Sequence, residues 1–192
     1  MKVVNQCNLA EALAALRAGQ IVIFPTETSY GLGCDASNQE AVDKIFSIKQ
    51  RRSDKPLLVV VPDIEMAKKY LVWNDLLEDL SKKYWPGPLT VVGEYNQKEA
   101  LAMGVVAADN TIAVRVTDFP LTKFLSESLG GPLVATSANL ADAGDIYDSN
   151  KIEVKSDILI DGGVLPRNPP TTIVSVVGNN LQILRQGQIQ II

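Results

Sequence analysis

The stretch Ile21-Val22-Ile23-Phe24-Pro25 decides the fold, because four consecutive apolar residues ended by proline predict a short buried strand. A helical pattern precedes this strand. Asn8 and Glu11 form a candidate capping box, and the helix is expected to run to Ala18 and to end at Gly19. A helix that leads directly into a buried strand is typical of α/β proteins.

The same alternation of helix and strand continues to the end of the chain. Further helices are predicted over residues 38–49, 64–71, 75–84 and 119–129, with Asn38 and Asp118 as caps, and further strands over residues 57–61, 89–92, 111–116, 133–135, 158–160, 172–177 and 181–185. Gly178-Asn179-Asn180 predicts a tight turn, so the last two strands should pair antiparallel. We therefore expect one α/β domain over residues 1–192, built on a mixed sheet, with a polar loop near residues 142–155.

Composition restricts the chemistry that this domain can perform. The chain has 192 residues, 46% of them hydrophobic, a formal net charge of −4 and no histidine. Without histidine, a Ser-His-Asp triad, a Cys-His pair and a His-ligated zinc site are excluded. Two cysteines and no apolar leader or spanning segment predict a cytoplasmic protein without membrane contact. The remaining candidates are Lys, Arg, Ser, Thr, carboxylates and a bound Mg²⁺.

Cations are concentrated in Lys49-Gln50-Arg51-Arg52, at the predicted end of a helix. Helix ends favour cations, so a solvated helix end is one interpretation of this cluster. Three cations in four residues, followed by a buried strand, modestly favour a site for a polyanion such as a nucleotide triphosphate.

Three other segments carry candidate site residues. Residues 25–33 contain hydroxyls and two glycines, which fits either a ligand-binding turn or a plain strand-to-helix loop. Ser137 and Asn139 suit a helix N-cap, and an exposed helix N-terminus also binds anions. Arg115 ends an apolar segment and requires an internal or a ligand carboxylate. Arg185 has a similar position, with an edge-strand charge as the alternative.

Taken together, these segments resemble the YrdC/Sua5 family of threonylcarbamoyl-adenylate synthases. The matching motifs, in the family's order, are Pro25-Thr26-Glu27-Thr28 with Tyr30-Gly31-Leu32-Gly33, Ile48-Lys49-Gln50-Arg51, Trp85-Pro86-Gly87-Pro88-Leu89-Thr90, Ala113-Val114-Arg115, Thr136-Ser137-Ala138-Asn139-Leu140 and Leu184-Arg185-Gln186-Gly187. They span nearly the whole chain, and its length is similar to that of the single-domain bacterial form.

The resemblance implies a YrdC-like twisted mixed sheet with flanking helices around a large concave cavity. It implies that L-threonine, bicarbonate and ATP react, with Mg²⁺, to give threonylcarbamoyl-AMP and pyrophosphate. A separate tRNA-modifying transferase would then use this product. By motif match, ATP would be held by Lys49, Arg51, Thr111, Ser137, Asn139 and Arg185, and threonine by Thr26, Arg115 and Thr171. Lys49 and Arg51 are the expected catalytic residues; metal ligands are not assigned.

The chain departs from the family pattern at several positions. Arg52 replaces a usual proline, Ala141-Asp142 replaces Ser-Gly, and Asp142 and Asp145 add negative charge near the expected phosphates. A YciO-like paralogue with another role and an RNA-binding module remain alternatives. The negative net charge argues against single-strand RNA binding, whereas weak contact with double-stranded RNA stays open.

Overall fold

Two mixed β-sheets form the frame of the protein in the computed structural model, which describes residues 1–6, 8–52, 54–141 and 143–191. The described strands are β1 (Lys2–Asn5), β2 (Val22–Pro25), β3 (Tyr30–Gly33), β4 (Leu58–Val61), β5 (Leu89–Glu94), β6 (Thr111–Val116), β7 (Leu133–Val134), β8 (Thr136–Ser137), β9 (Ile158–Asp161), β10 (Thr172–Val177) and β11 (Asn180–Arg185). One sheet has the order β1-β9-β2-β3-β8, and the other has the order β11-β10-β5-β6-β4-β7. The expected mixed α/β architecture is confirmed, with two sheets in place of one.

Five α-helices flank these sheets within the described residues. They are α1 (Leu9–Arg17), α2 (Gln39–Lys49), α3 (Ile64–Tyr70), α4 (Asp75–Tyr84) and α5 (Pro120–Leu129). Apolar side chains of α1 and α5 pack with β2, β4 and β9 in one core, and those of α2, α3 and α4 belong to a second, larger core. None of these helices is long and apolar enough to cross a membrane.

The predicted helix caps are partly confirmed. The Asn38 side chain accepts a hydrogen bond from Ala41 N at 3.0 Å and caps α2 as expected. Asn8 is the N-cap residue of α1 as predicted, and its side-chain amide donates to Glu11 at 3.3 Å, but it makes no side-chain bond to the helix backbone. The cap predicted at Asp118 is wrong, because α5 has Phe119 at its N-cap and Pro120 in its first turn. Proline fits this first turn because its missing N–H would have no partner within the helix.

The chain changes sheets at Ala135. β7 pairs antiparallel with β4 in the six-stranded sheet, and β8 pairs antiparallel with β3 in the five-stranded sheet. Only Ala135 separates these two strands, so this corner holds the sheets close together. The face of the six-stranded sheet that carries Ala113 and Arg115 is thereby placed opposite β3 and β8.

Residues 25–33 form a hairpin, so the interpretation of this segment as a plain strand-to-helix loop is wrong. β2 and β3 pair antiparallel, and residues 26–29 make the turn. At Gly33 a Cβ atom would lie 2.1 Å from the carbonyl oxygen of Val134, where the corner passes. Glycine is therefore needed at position 33 for this close backbone approach.

The expected helix N-cap at Ser137 and Asn139 is also wrong. Ser137 ends β8, and no helix follows directly in the described part of this segment. Residues 140–141 and 143–148 follow an irregular path. The Asn139 side-chain amide donates hydrogen bonds to the carbonyl oxygens of Ala143 and Gly144 in this segment. Asp142, one of the departures from the family pattern, lies outside the described residues, as does Cys7, one of the two cysteines. The predicted β10–β11 hairpin is confirmed, with Gly178 at φ +55° in its turn.

Candidate active site

A cavity of about 410 Å³ lies between the two sheets. Side chains of both sheets line it, and β5, β6, β10 and β11 of the six-stranded sheet all contribute. Of the nine predicted site residues, six line this cavity: Thr26, Arg51, Arg115, Ser137, Thr171 and Arg185. The fold thus brings together residues that lie up to 159 positions apart in the chain, counted from Thr26 to Arg185.

Arg115 is the most deeply buried cation of the cavity wall. Its side chain is 3% exposed, and Nη1 lies 3.1 Å from Oε1 of Glu27, whose side chain is 18% exposed. Burial lowers the pKa of Arg115, and the charge of Glu27 opposes this shift. Arg115 Nε and Glu27 Oε2 are both buried without a hydrogen-bond partner within the described part of the chain. The internal carboxylate expected for Arg115 is therefore present, and the guanidinium keeps unused donor capacity.

Thr26 organises the turn that carries Glu27. Its hydroxyl oxygen accepts hydrogen bonds from the backbone N–H groups of Thr28 and Ser29, both at 3.2 Å. The same hydroxyl donates to the carbonyl oxygen of Ser29 at 2.7 Å. A threonine suits this turn because one hydroxyl can both donate and accept. The turn holds Thr26, Thr28 and Ser29 in the cavity wall.

Arg185 on β11 and Thr171 just before β10 both line the cavity and are joined by hydrogen bonds. Arg185 Nε and Nη2 donate to the Thr171 carbonyl oxygen at 3.1 and 2.9 Å, and Nη2 also lies 3.1 Å from the Thr171 hydroxyl. That hydroxyl is 3.0 Å from the hydroxyl of Thr90 on β5. Burial lowers the pKa of Arg185, and the negative charge of Asp145 opposes this shift. Arg185 therefore fixes the position of Thr171 besides lining the cavity itself.

Lys49 and Asn139 lie behind the cavity wall instead of in it. Lys49 is 1% exposed, and Nζ donates to the carbonyl oxygens of Ser137 at 2.6 Å and Asn139 at 2.8 Å. A third bond joins Nζ to Asn139 Oδ1 at 2.9 Å, and the same Oδ1 accepts from the Ser137 hydroxyl at 2.6 Å. Burial, followed by the nearby charge of Arg51, lowers the pKa of Lys49 to about 8. Lys49 thus binds the segment that presents Ser137 to the cavity.

The cation cluster that the sequence singled out is divided among three environments. Lys49 is buried, whereas Arg51 lines the cavity and donates to the carbonyl oxygens of Lys55 at 2.9 Å and Pro56 at 3.1 Å. Arg52 is exposed and makes a two-pronged pair with Asp54. Gln50 causes this division because its left-handed conformation, φ +50° and ψ +38°, ends α2 and turns the chain.

Thr111 is not among the residues that line the cavity. It begins β6, and its hydroxyl donates to Asp109 Oδ1 at 2.7 Å. Because successive side chains of a strand point to opposite faces, Thr111 shares a face with Ala113 and Arg115, which do line the cavity. An ATP contact at Thr111 stays a prediction.

Two residues of the site, Glu27 and Thr90, were not predicted from the sequence. Glu27 stands within a quoted motif, yet its pairing with Arg115 depends on the β2–β3 turn reaching β6. Thr90 lines the cavity and contacts Thr171, and as a hydroxyl residue within the apolar run Leu89–Val92 it offered a usable signal. A polar residue on a buried strand requires a hydrogen-bond partner, so its position indicates a face of the strand that contacts polar groups instead of the apolar core.

Fold and site together define an α/β domain with a cation-rich cavity between two sheets. The family model described as "Telomere recombination", of the Sua5/YciO/YrdC family, matches residues 14–187. The chain belongs to this family.

A curated relative and two solved structures illustrate the similarity. The threonylcarbamoyl-AMP synthase of Vibrio vulnificus strain YJ016 is 35% identical over 188 residues, which cover 94% of this chain and 98% of that protein. The crystal structure of P. abyssi Sua5 complexed with L-threonine is 28% identical with a TM-score of 0.90. The match covers 97% of this chain and 58% of that one. E. coli YciO, at 23% identity and a TM-score of 0.82 over 97% of this chain and 93% of that one, supports the fold alone.

Proposed function

We propose that the protein is an L-threonylcarbamoyladenylate synthase, a nucleotidyltransferase that converts L-threonine, bicarbonate and ATP into threonylcarbamoyl-AMP and pyrophosphate. The observation that carries this proposal is the convergence of Arg51, Arg115 and Arg185 with threonine and serine hydroxyls in one cavity. Three arginines fit substrates that bring one carboxylate and a triphosphate. The synthase name of the Vibrio relative and the threonine complex of P. abyssi Sua5 agree with it.

The two substrates are assigned to two sets of cavity residues, which meet where Arg185 contacts Thr171. Arg115 would bind the threonine carboxylate, because a guanidinium holds a carboxylate in a two-pronged fit and this one has an unpartnered Nε. Thr26 and Thr171 complete the threonine side. ATP would contact Arg51, Ser137 and Arg185, with Thr111 as a further contact. Lys49 and Asn139 would act on ATP through the segment that carries Ser137.

The chemistry needs positioning and charge neutralisation more than a protein nucleophile. The threonine amine attacks bicarbonate, so that an N–C bond forms and water leaves, giving a carbamate. A carbamate oxygen then attacks the α-phosphorus, and the bond from that phosphorus to the bridging oxygen of the β-phosphate breaks as pyrophosphate leaves. Negative charge on the phosphates must be balanced during this displacement. Arg51, which lines the cavity, is the proposed catalytic cation, whereas Lys49 would position the Ser137 segment. A bound Mg²⁺ would supply further positive charge.

A cage for Mg²⁺ made by the protein alone is not present in the described residues, which contain no group of three or more candidate metal ligands. Magnesium sites that use a nucleotide need only one or two carboxylates, since phosphate oxygens and water supply the rest. Asp145 lines the cavity and offers such a carboxylate. The residues present therefore fit an ion that arrives with ATP.

We further propose that the product serves a separate transferase that modifies tRNA, and that the protein works in the cytoplasm. Threonylcarbamoyl-AMP is a mixed anhydride, so its carbonyl carbon is activated for transfer to an amine. The chain has only two cysteines, which suits a reducing compartment.

Amino-acid choice tests the proposed activity. We expect pyrophosphate release from ATP and Mg²⁺ to require bicarbonate and to favour threonine over valine by about 100-fold or more. A site that hydrogen-bonds the threonine hydroxyl leaves buried polar groups unpaired when valine binds. Pyrophosphate release measured with each amino acid, with and without bicarbonate, gives this ratio. Equal turnover with both would contradict a threonine site at Thr26 and Thr171. No release with any amino acid would instead favour a paralogue with another role.

The Glu27–Arg115 pair gives an independent test that requires no turnover. We expect Glu27→Gln to lower the free energy of unfolding by about 2 kcal/mol. This is below the roughly 3–5 kcal/mol for breaking a fully buried pair, because glutamine still accepts a hydrogen bond. Threonine should then raise the melting temperature more in the variant than in the native protein, since its carboxylate replaces the missing negative charge.

A matched control for this test is Glu65→Gln, which breaks the exposed pair with Lys68. Exposed pairs contribute about 0–1 kcal/mol, so this control should change neither stability nor the threonine response. A threonine-induced shift that is equal in Glu27→Gln and in the native protein would show that the ligand carboxylate does not reach Arg115.

A further inference from the structure

Asp145 has an unusual place in the cavity wall. Among the described residues that line the cavity, it alone carries a carboxylate, and it shares the wall with Arg51, Ser137 and Arg185. Its side chain is exposed, so the carboxylate is accessible from the cavity.

The backbone around Asp145 is fixed on both sides. On the N-terminal side, Asn139 Nδ2 donates to the carbonyl oxygens of Ala143 at 2.5 Å and Gly144 at 2.9 Å. On the C-terminal side, the N–H of Tyr30 on β3 donates to the carbonyl oxygen of Ile146 at 2.8 Å. These bonds hold Asp145 at a defined position between β3 and the Asn139 segment. The backbone that carries the Asp145 carboxylate is therefore held next to the cavity.

The charges around Asp145 create a conflict when ATP binds. Asp145 lies close enough to Lys49 and Arg185 for its negative charge to favour their charged forms. These cations belong to the side of the cavity assigned to the phosphates. A carboxylate there repels phosphate oxygens, unless a divalent cation lies between the two negative groups.

We propose that Asp145 is a protein ligand of the Mg²⁺ ion that accompanies ATP in this cavity. This inference rests on the proposed use of ATP. Mg²⁺ is bound in proteins through one or two carboxylates together with phosphate oxygens and water, which is the donor set that Asp145 and a nucleotide provide. The described residues contain no cluster that could hold the metal without the nucleotide. Metal and nucleotide therefore bind together, and Asp145 makes ATP binding depend on Mg²⁺.

The linkage between ATP and Mg²⁺ tests this role without any turnover. ATP is titrated calorimetrically into the protein in the absence of threonine and bicarbonate, once with Mg²⁺ and once with EDTA. For the native protein we expect Mg²⁺ to strengthen ATP binding about 10-fold or more. Asp145→Asn removes the repulsion and the metal ligand together. Its ATP affinity in EDTA should therefore rise above the native value, and the gain from Mg²⁺ should fall to about one.

Two further variants separate this role from general effects of charge. Asp145→Glu keeps the carboxylate and should keep most of the gain from Mg²⁺. Asp79→Asn removes the same charge from an exposed position on α4, outside the cavity, and should behave like the native protein. As a second readout, Mn²⁺ replaces Mg²⁺ and is followed by its electron paramagnetic resonance spectrum. ATP should reduce the free Mn²⁺ signal further with the native protein than with Asp145→Asn.

The outcomes are distinguishable. If Asp145→Asn keeps the native gain from Mg²⁺ while the native protein binds ATP, the inference is wrong and the proposed function is unaffected. If the native protein binds no ATP under either condition, the inference and the proposed function fail together. Loss of the gain in Asp145→Asn, with retention in Asp145→Glu and Asp79→Asn, supports the inference.

Discussion

Replacing Arg115 with lysine is expected to raise the threonine concentration needed for half-maximal pyrophosphate release by about 10- to 100-fold. A hydrogen bond to a charged group contributes roughly 1.5–3 kcal/mol, which corresponds to this range. Lysine keeps the positive charge but loses the planar fork that can hold Glu27 and a ligand carboxylate at the same time. The ATP requirement should change much less. Titration of the variant against each substrate in turn measures both effects.

Two other arginines serve as comparisons. Arg52→Lys alters an exposed arginine that pairs with Asp54, and it should change neither substrate requirement. Arg185→Lys should act mainly on ATP. A smaller effect on threonine is also expected, because the guanidinium holds the Thr171 carbonyl and hydroxyl. If Arg115→Lys altered only the ATP requirement, or Arg185→Lys only that of threonine, the assignment of the two substrates would be reversed.

The elements that could be predicted from sequence are those with strong local signals. Asn38 supplies a side-chain cap to a helix with clear periodicity, and Gly178 supplies a positive φ between two apolar strands. Both signals act within a few residues, so the structures that they predict do not depend on contacts with distant parts of the chain. Strand β3, which was not predicted, lacks such a local signal and depends on distant contacts instead. Its glycine-rich sequence has low strand propensity, and its stability comes from pairing with β2 and β8.

The candidate site shows the same limit at the level of side chains. The sequence placed Lys49, Arg51 and Arg52 together, whereas the left-handed turn at Gln50 sends them to three environments. Glu27 and Arg115 are 88 residues apart, and their pairing depends on how the two sheets face each other. Residue types therefore indicated the chemistry, but only the packing shows which groups contact the cavity and which support it.

Lys49 gives the second large effect, because it is a buried cation whose three hydrogen bonds all go to the segment that carries Ser137. We expect Lys49→Met to lower the free energy of unfolding by about 3 kcal/mol. Methionine has a similar length but leaves the two carbonyl oxygens without this donor, and Asn139 Oδ1 keeps only the bond from the Ser137 hydroxyl. ATP affinity should fall about 100-fold, since Ser137 loses its fixed position. Urea unfolding and ATP titration of the folded variant measure the two effects.

A double-mutant cycle with Asn139→Ala separates support from direct contact. If Lys49 acts through the Asn139 segment, Asn139→Ala alone should weaken ATP binding, and the double variant should lose little more than the larger single effect. Additive losses would mean that Lys49 contacts ATP independently of Asn139. Arg51→Ala is the matched comparison, because Arg51 lines the cavity directly and should weaken ATP binding with a smaller loss of stability. If Lys49→Met lowered stability but left ATP affinity unchanged, Lys49 would only stabilise the fold and would not position Ser137 for ATP.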